Sequence, residues 1–278
     1  MAASVSRIIV MRLTLLLTAP VSVLALPKIL CLHGGGQSGS SFESQQSMVA
    51  LRTQLSSQFE LVYAQAPESG SVWVRDAPGG KSAGTADASW AQTSVDYLDG
   101  FVASNGPFAG ILGYSQGSAF ATYYVSQRQT AASVPFQFAM LFCGYIPTVH
   151  AGLASAIDAA APFHNIPALV FMGARDFVIA NAMTTAQAGK YTNPTVITSP
   201  SEGHDLPAAG SGELAQAVTW AGDYASGGGA TSAAAGTSYS TTTLAEESSS
   251  AALVNAGAGK IAGAALLVVV GDYFAMTL

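Results

Sequence analysis

Residues 113–117 read Gly-Tyr-Ser-Gln-Gly, directly after the apolar run Phe108-Ala109-Gly110-Ile111-Leu112 and before a stretch of helical character, 116–129. A short continuous apolar run suits a parallel strand buried on both faces. Strand, Gly-x-Ser-x-Gly and helix in succession make a nucleophile elbow, a sharp turn that presents a serine hydroxyl. The glycines are needed because side chains two residues either side of that serine would collide with the adjoining elements. The following helix points its N-terminus at the reacting group, where its dipole favours developing negative charge. With 29 glycines in 278 residues, the pentapeptide alone is weak evidence; its flanks and its partners carry the reading.

An activated serine needs a base to take its proton and an acid to orient that base. On this kind of fold they follow in the order Ser, Asp/Glu, His. Of the four histidines, only His204 lies well downstream, in Ser201-Glu202-Gly203-His204-Asp205 after the apolar segment 195–198. Asp176 is the candidate acid, in the loop that opens after Leu169-Val170-Phe171-Met172. Both occupy strand-end positions, and the carboxyl edge of a parallel sheet is where ligands bind. Asp205 adjoins His204 and would have to turn back onto its neighbour's ring, while Asp158 sits in an alanine-rich segment before the last strands. His150 and His164 are expected to be surface or satisfied loop histidines.

The apolar strand Ile29-Leu30-Cys31-Leu32 runs into His33-Gly34-Gly35-Gly36. A glycine loop of this kind brings a backbone N–H to a carbonyl oxygen. Gly35, paired with the N–H of Gln116, is the expected oxyanion hole, with Gly34 nearly as good a choice. His33 is expected to fix the loop by hydrogen bonds. The glycine run is no phosphate cradle, because Gly-x-x-x-x-Gly-Lys-Ser/Thr and the dinucleotide spacing are both missing.

With these residues in place the chain resembles the family-serine-hydrolase (FSH-type) branch of the α/β-hydrolases, common in fungi. The likeness rests on Lys28-Ile29-Leu30-Cys31-Leu32-His33-Gly34, and above all on Gly106-Pro107-Phe108 leading to Gly113-Tyr114-Ser115-Gln116-Gly117; Gly203-His204 fits as well. It covers residues 27–225. The resemblance implies hydrolysis of carboxylic esters or thioesters, including acyl chains on carrier proteins. It also places Ser115, Asp176 and His204 as nucleophile, acid and base. Many members carry a bulkier residue where this chain has the second glycine after His33.

Apolar strands at 28–33, 59–63, 108–113, 138–143, 168–172 and 195–198 alternate with helical stretches at 42–55, 90–104, 116–129, 181–191 and 213–224. Such alternation predicts an α/β-hydrolase fold: a mostly parallel sheet covered on both faces. The formal net charge is −6 and there are 10 Lys+Arg without a basic cluster, which argues against nucleic acid as a partner. No Cys/His spacing suggests a metal, and no cofactor is expected. Cys31 and Cys143 fall on strands flanking the serine's strand, about 10 Å apart and beyond the ~7 Å reach of a disulfide, so free buried thiols are expected.

The loops 66–89 and 144–167 are expected to line an acyl pocket. Trp73 and Tyr145 are the candidate substrate contacts, with Trp90 and Phe163 as further aromatics, although ordinary core packing is the commoner use of such residues. Residues 1–26 carry Arg7 and Arg12 ahead of Leu13–Ala19, the pattern of an export signal. Residues 226–260 form a Gly/Ala/Ser/Thr-rich linker, and 261–278 an apolar tail that resembles a GPI-anchor signal, interrupted by Asp272. The expectation is a secreted or cell-surface enzyme whose only membrane contact is that anchor; without processing the location is cytoplasmic. The leading activity is cleavage of a small ester or acyl thioester, and a turnover-less binding or surface module on the same fold is the alternative.

Overall fold

Three consecutive strands of this chain are buried at every residue, which only the middle of a two-faced sheet permits. They are β3 (Phe108–Tyr114), β4 (Phe138–Phe142) and β5 (Ala168–Gly173). β1 (Lys28–Leu32) is nearly as buried, whereas β2 (Glu60–Ala64) and β6 (Thr195–Ser199) expose residues as edge strands do. The computed structural model describes residues 25–128 and 135–225. All six strands pair in parallel, in the order β2-β1-β3-β4-β5-β6.

Among the described residues, seven helices cover the sheet: α1 (Gly39–Ser44), α2 (Gln46–Leu55), α3 (Gln92–Asn105), α4 (Gln116–Ser126), α5 (Ala151–Ala160), α6 (Asn181–Ala188) and α7 (Gly212–Gly222). Alternate strand residues feed two separate cores. Leu30, Leu32 and Ile111 pack with Leu98 of α3, Phe120 of α4 and Leu153 of α5. Ile29, Cys31 and Leu112 pack on the other face with Phe42 of α1, Leu51 of α2 and Leu214 of α7. The chain leaves β1 towards β2 on one side and returns through β3 to build outwards on the other. The carboxyl ends of β1 and β3 therefore border a topological switch point, where a crevice opens in folds of this type.

The expected α/β-hydrolase architecture is present, and the differences are local. The helix expected over 42–55 is two helices, broken at Gln45, whose ψ of 132° is extended. The segment 144–167, expected as a loop, holds α5. Its run of alanines around Leu153 and Ile157 supplies one apolar side, too short a signal to stand out. The helix expected from 90 begins at Gln92 after a 3₁₀ turn, Ala88–Ala91. Among the described residues no helix is long and apolar enough to cross a membrane. The export signal expected at 1–26 falls almost wholly outside the described residues, and the linker and anchor expected at 226–260 and 261–278 lie wholly outside them.

Candidate active site

Ser115 stands at the end of β3 with φ 52° and ψ −119°, a conformation that side-chain-bearing residues rarely adopt. Its surroundings hold it there. Its N–H donates to Phe142 O at 2.9 Å, and its carbonyl accepts from Ser118 and Ala119 of α4 at 3.0 and 3.1 Å. A Cβ on Gly113 would lie 2.5 Å from Ser118 Cα, and one on Gly117 would lie 2.3 Å from Leu32 O. Both glycines are thus required by close backbone approach. The turn stores strain of order 1–3 kcal/mol, offset by these contacts, and presents a half-buried hydroxyl.

His204 and Asp176 reach that hydroxyl from the loops after β6 and β5. Ser115 Oγ lies 2.9 Å from His204 Nε2, and His204 Nδ1 lies 2.7 Å from Asp176 Oδ2. A carboxylate only accepts, so in the neutral ring Nδ1 carries the proton and Nε2 is left to accept from the serine. The second oxygen of Asp176 accepts from the N–H groups of Val178 and Ile179 at 2.9 and 2.8 Å. Its side chain is 1% exposed. The two alternative acids are occupied elsewhere: Asp205 accepts from Gln45, Ser47 and Leu206, and Asp158 pairs with Lys190.

The glycine loop lies against the elbow. Gly34 N–H donates to Gln37 Oε1 and Gly36 N–H to Ser71 O. Among the described residues, Gly35 N–H has no protein acceptor, and Gly35 is exposed where Gly34 is buried. A Cβ on Gly35 would meet the Gln116 side chain at 3.3 Å, so the two residues face each other. Among the described residues, Gln116 N–H, at the first turn of α4, likewise has no protein acceptor. His33 is fully buried; its Nδ1–H donates to Gly34 O at 2.8 Å and its Nε2 accepts from Ala66 N–H at 3.0 Å. Burial lowers its pKa, only partly opposed by the bond to Gly34, so it is a neutral strut of the loop.

Residues 23–213 match the serine hydrolase (FSH1) family. The chain belongs to this family. It is therefore a serine hydrolase. It is 32% identical over 166 residues to esterase FPY3 of Fusarium mangiferae, covering 54% of this chain and 74% of that protein. It is 32% identical over 147 residues to family of serine hydrolases 2 of Saccharomyces cerevisiae, covering 42% of this chain and 64% of the relative. The Bacillus cereus carboxylesterase superposes with a TM-score of 0.51 at 18% identity, over 72% of this chain and 89% of that one. That likeness supports the α/β-hydrolase fold.

Within this family member, two supports of the histidine loop were not legible in the sequence. Tyr114, which reads as the variable position of the elbow, donates its O–H to His204 O at 2.7 Å while its ring stacks on Phe42. Burial, with the Asp205 carboxylate adding, pushes its phenol above the ordinary range and keeps it a donor. Cys143 donates its thiol to Asp205 O at 3.1 Å. Burial first, then Asp176, raises that thiol to about 12. The donor atoms of Cys143, Asp176 and His204 gather within 4.8 Å. Each is already committed to a hydrogen bond, so the cluster is a support for the ring and not an open coordination sphere. Cys31 and Cys143 are both free and buried, as expected.

The expected aromatic wall needs correction. Trp73 is fully buried, stacks on Phe120 at 5.4 Å, and donates its indole N–H to His33 O. It is core, and only its backbone serves the site, donating to Gln116 Oε1 at 2.8 Å. Phe163 is 1% exposed and packs edge-on against Tyr191. Tyr145 is half-buried just past β4, its phenol pushed up to about 12 by burial and then by Asp76. His164 is exposed as expected, but His150 is buried with Nδ1 unpartnered. Such a histidine stays neutral, and burial lowers its pKa.

Proposed function

We propose that this serine hydrolase cleaves carboxylic esters or thioesters through an acyl-enzyme on Ser115. The observation that carries the reading is the unbroken path Ser115 Oγ–His204–Asp176, with links of 2.9 and 2.7 Å. Ser115 Oγ attacks the acyl carbon as its proton passes to His204 Nε2. The N–H groups of Gly35 and Gln116 hold the resulting oxyanion, with the N-terminal dipole of α4 behind them. Collapse expels the alcohol or thiol, which takes its proton from Nε2. Water then gives a proton to the same nitrogen and attacks the acyl carbon, and the acid leaves as Ser115 recovers its proton. Asp176 holds the ring's tautomer and stabilises its charged form. The relatives' name, esterase, supports this class of substrate, and acyl chains on carrier proteins fall within it.

Fluorophosphonate labelling of the full chain tests the assignment. Wild type is expected to label, and Ser115→Ala and His204→Ala to stay at background. A well-folded wild type that does not label would leave only a binding or surface module. The corresponding location is outside the cell through the signal at 1–26 and an anchor at 261–278. Mass analysis of the mature protein that found both termini intact would return it to the cytoplasm.

A further inference from the structure

The oxyanion loop and the histidine loop are joined by a file of side chains. Gly34 N–H donates to Gln37 Oε1 at 2.9 Å, Gln37 Nε2 donates to Gln45 Oε1 at 3.1 Å, and Gln45 Nε2 donates to Asp205 Oδ1 at 2.7 Å. Asp205 is the peptide neighbour of His204, and its Oδ1 also accepts from Ser47 Oγ at 2.6 Å and Leu206 N–H at 2.7 Å. The file has a fixed polarity. It starts at a group that only donates and ends at one that only accepts, so each amide between them has one satisfactory orientation. Turning Gln45 over would set its NH₂ against that of Gln37 and its oxygen against the carboxylate.

The break between α1 and α2 is what puts Gln45 in reach. An uninterrupted helix over 42–55 would place residue 45 inside its own turns; the extended Gln45 instead ends α1 and caps α2. The file also uses up the Gly34 N–H, which leaves Gly35 as the free donor.

We infer that Gln37, Gln45 and Asp205 form a positioning strap that couples the oxyanion loop to the general-base loop, so that Gly35 N–H and the His204 ring are held in register as one unit. The inference rests on the acyl-transfer reading above. The three side chains hydrogen-bond to one another, to Ser47 and to the backbone N–H groups of Gly34 and Leu206, and not to the Ser115 hydroxyl or the His204 ring. Their effect falls on transition-state geometry, and so on kcat more than on KM.

The test measures kcat and KM of the full chain on a chromogenic ester for Gln37→Ala, Asp205→Ala and the double variant, with thermal unfolding of each. Each single change is expected to lower kcat about tenfold with KM within about twofold, and the double change about tenfold also, because either cut opens the same strap. Independent supports would multiply to about a hundredfold, and that result overturns the strap. Asp205→Asn keeps an accepting Oδ1 and is expected to recover most of the rate lost in Asp205→Ala. An equal loss in both would show that the charge acts, not the hydrogen bonds, and would also overturn it. Gln45→Met preserves size while removing both bonds; unchanged kcat in that variant overturns the strap even where the alanine variants fold poorly. Fluorophosphonate labelling of wild type separates the two levels: an unlabelled wild type refutes the acyl-transfer reading, and a labelled one with multiplicative losses refutes only the strap.

Discussion

At Asp176 the two carboxylate oxygens do different work. Oδ1 is held by two backbone N–H groups, and Oδ2 meets His204 Nδ1. In Asp176→Asn the amide oxygen takes the place facing Val178 and Ile179, because only an acceptor fits there. Its NH₂ is then turned to His204 and favours the tautomer protonated on Nε2, which cannot accept from Ser115. The expected loss is about 10⁴-fold in kcat with little change in thermal stability, read by ester turnover and thermal unfolding. Ser115, Asp176 and His204 were legible because each follows an apolar strand in a fixed chain order. Tyr114 and Trp73 were not. An aromatic's letter does not say whether it supports a backbone carbonyl, as Tyr114 does for His204, or fills the core, as Trp73 does.

Among the elements, the loop after β1 is tied to the segment after β2 through one buried side chain, His33. Ala66 N–H donates to His33 Nε2, so a proton arriving on that nitrogen destroys the bond that ties this loop to the segment after β2. Burial lowers the pKa of His33 in the folded state. Between the ordinary imidazole value of about 6.5 and the lower folded value, the unfolded chain therefore binds more protons. The stability linked to His33 is complete above about pH 6.5 and is lost as the pH falls through that window. Urea unfolding at pH 7.5 and pH 5 should show a smaller loss between the two for His33→Gln than for wild type. The variant should also be the less stable at pH 7.5, and an unchanged pH dependence would sink the assignment. The residual slope belongs in part to His150, whose pKa burial also lowers. The glycine loop itself was readable from His33-Gly34-Gly35-Gly36. The Gln45 break was not, because nothing between 42 and 55 is a helix breaker and the partners that hold Gln45 are distant in sequence.

For the whole molecule, alternating apolar strands and helices predict a covered parallel sheet. They do not give the strand order, because parallel pairing leaves no register mark in the sequence. The order matters to function: β1 and β3 are neighbours, so the glycine loop and Ser115 emerge side by side at the switch point. Gly117 is where that adjacency is tightest, since α4 leaves Ser115 by passing over the carbonyl of Leu32 at the end of β1. Even a methyl group there would lie 2.3 Å from Leu32 O and 2.5 Å from His33 O, both backbone atoms. In Gly117→Ala the start of α4 must move away from β1, which opens the gap between Gln116 N–H and Gly35. The expected outcome is a loss of about 1–3 kcal/mol in urea unfolding, the usual range for overpacking a close contact. The full chain should also label far more slowly with fluorophosphonate, even though Ser115, His204 and Asp176 are untouched. Wild-type labelling in a destabilised Gly117→Ala protein would mean that the elbow tolerates a shifted helix. Catalytic geometry would then be set by the loops after β5 and β6, and not by the packing of α4 on β1.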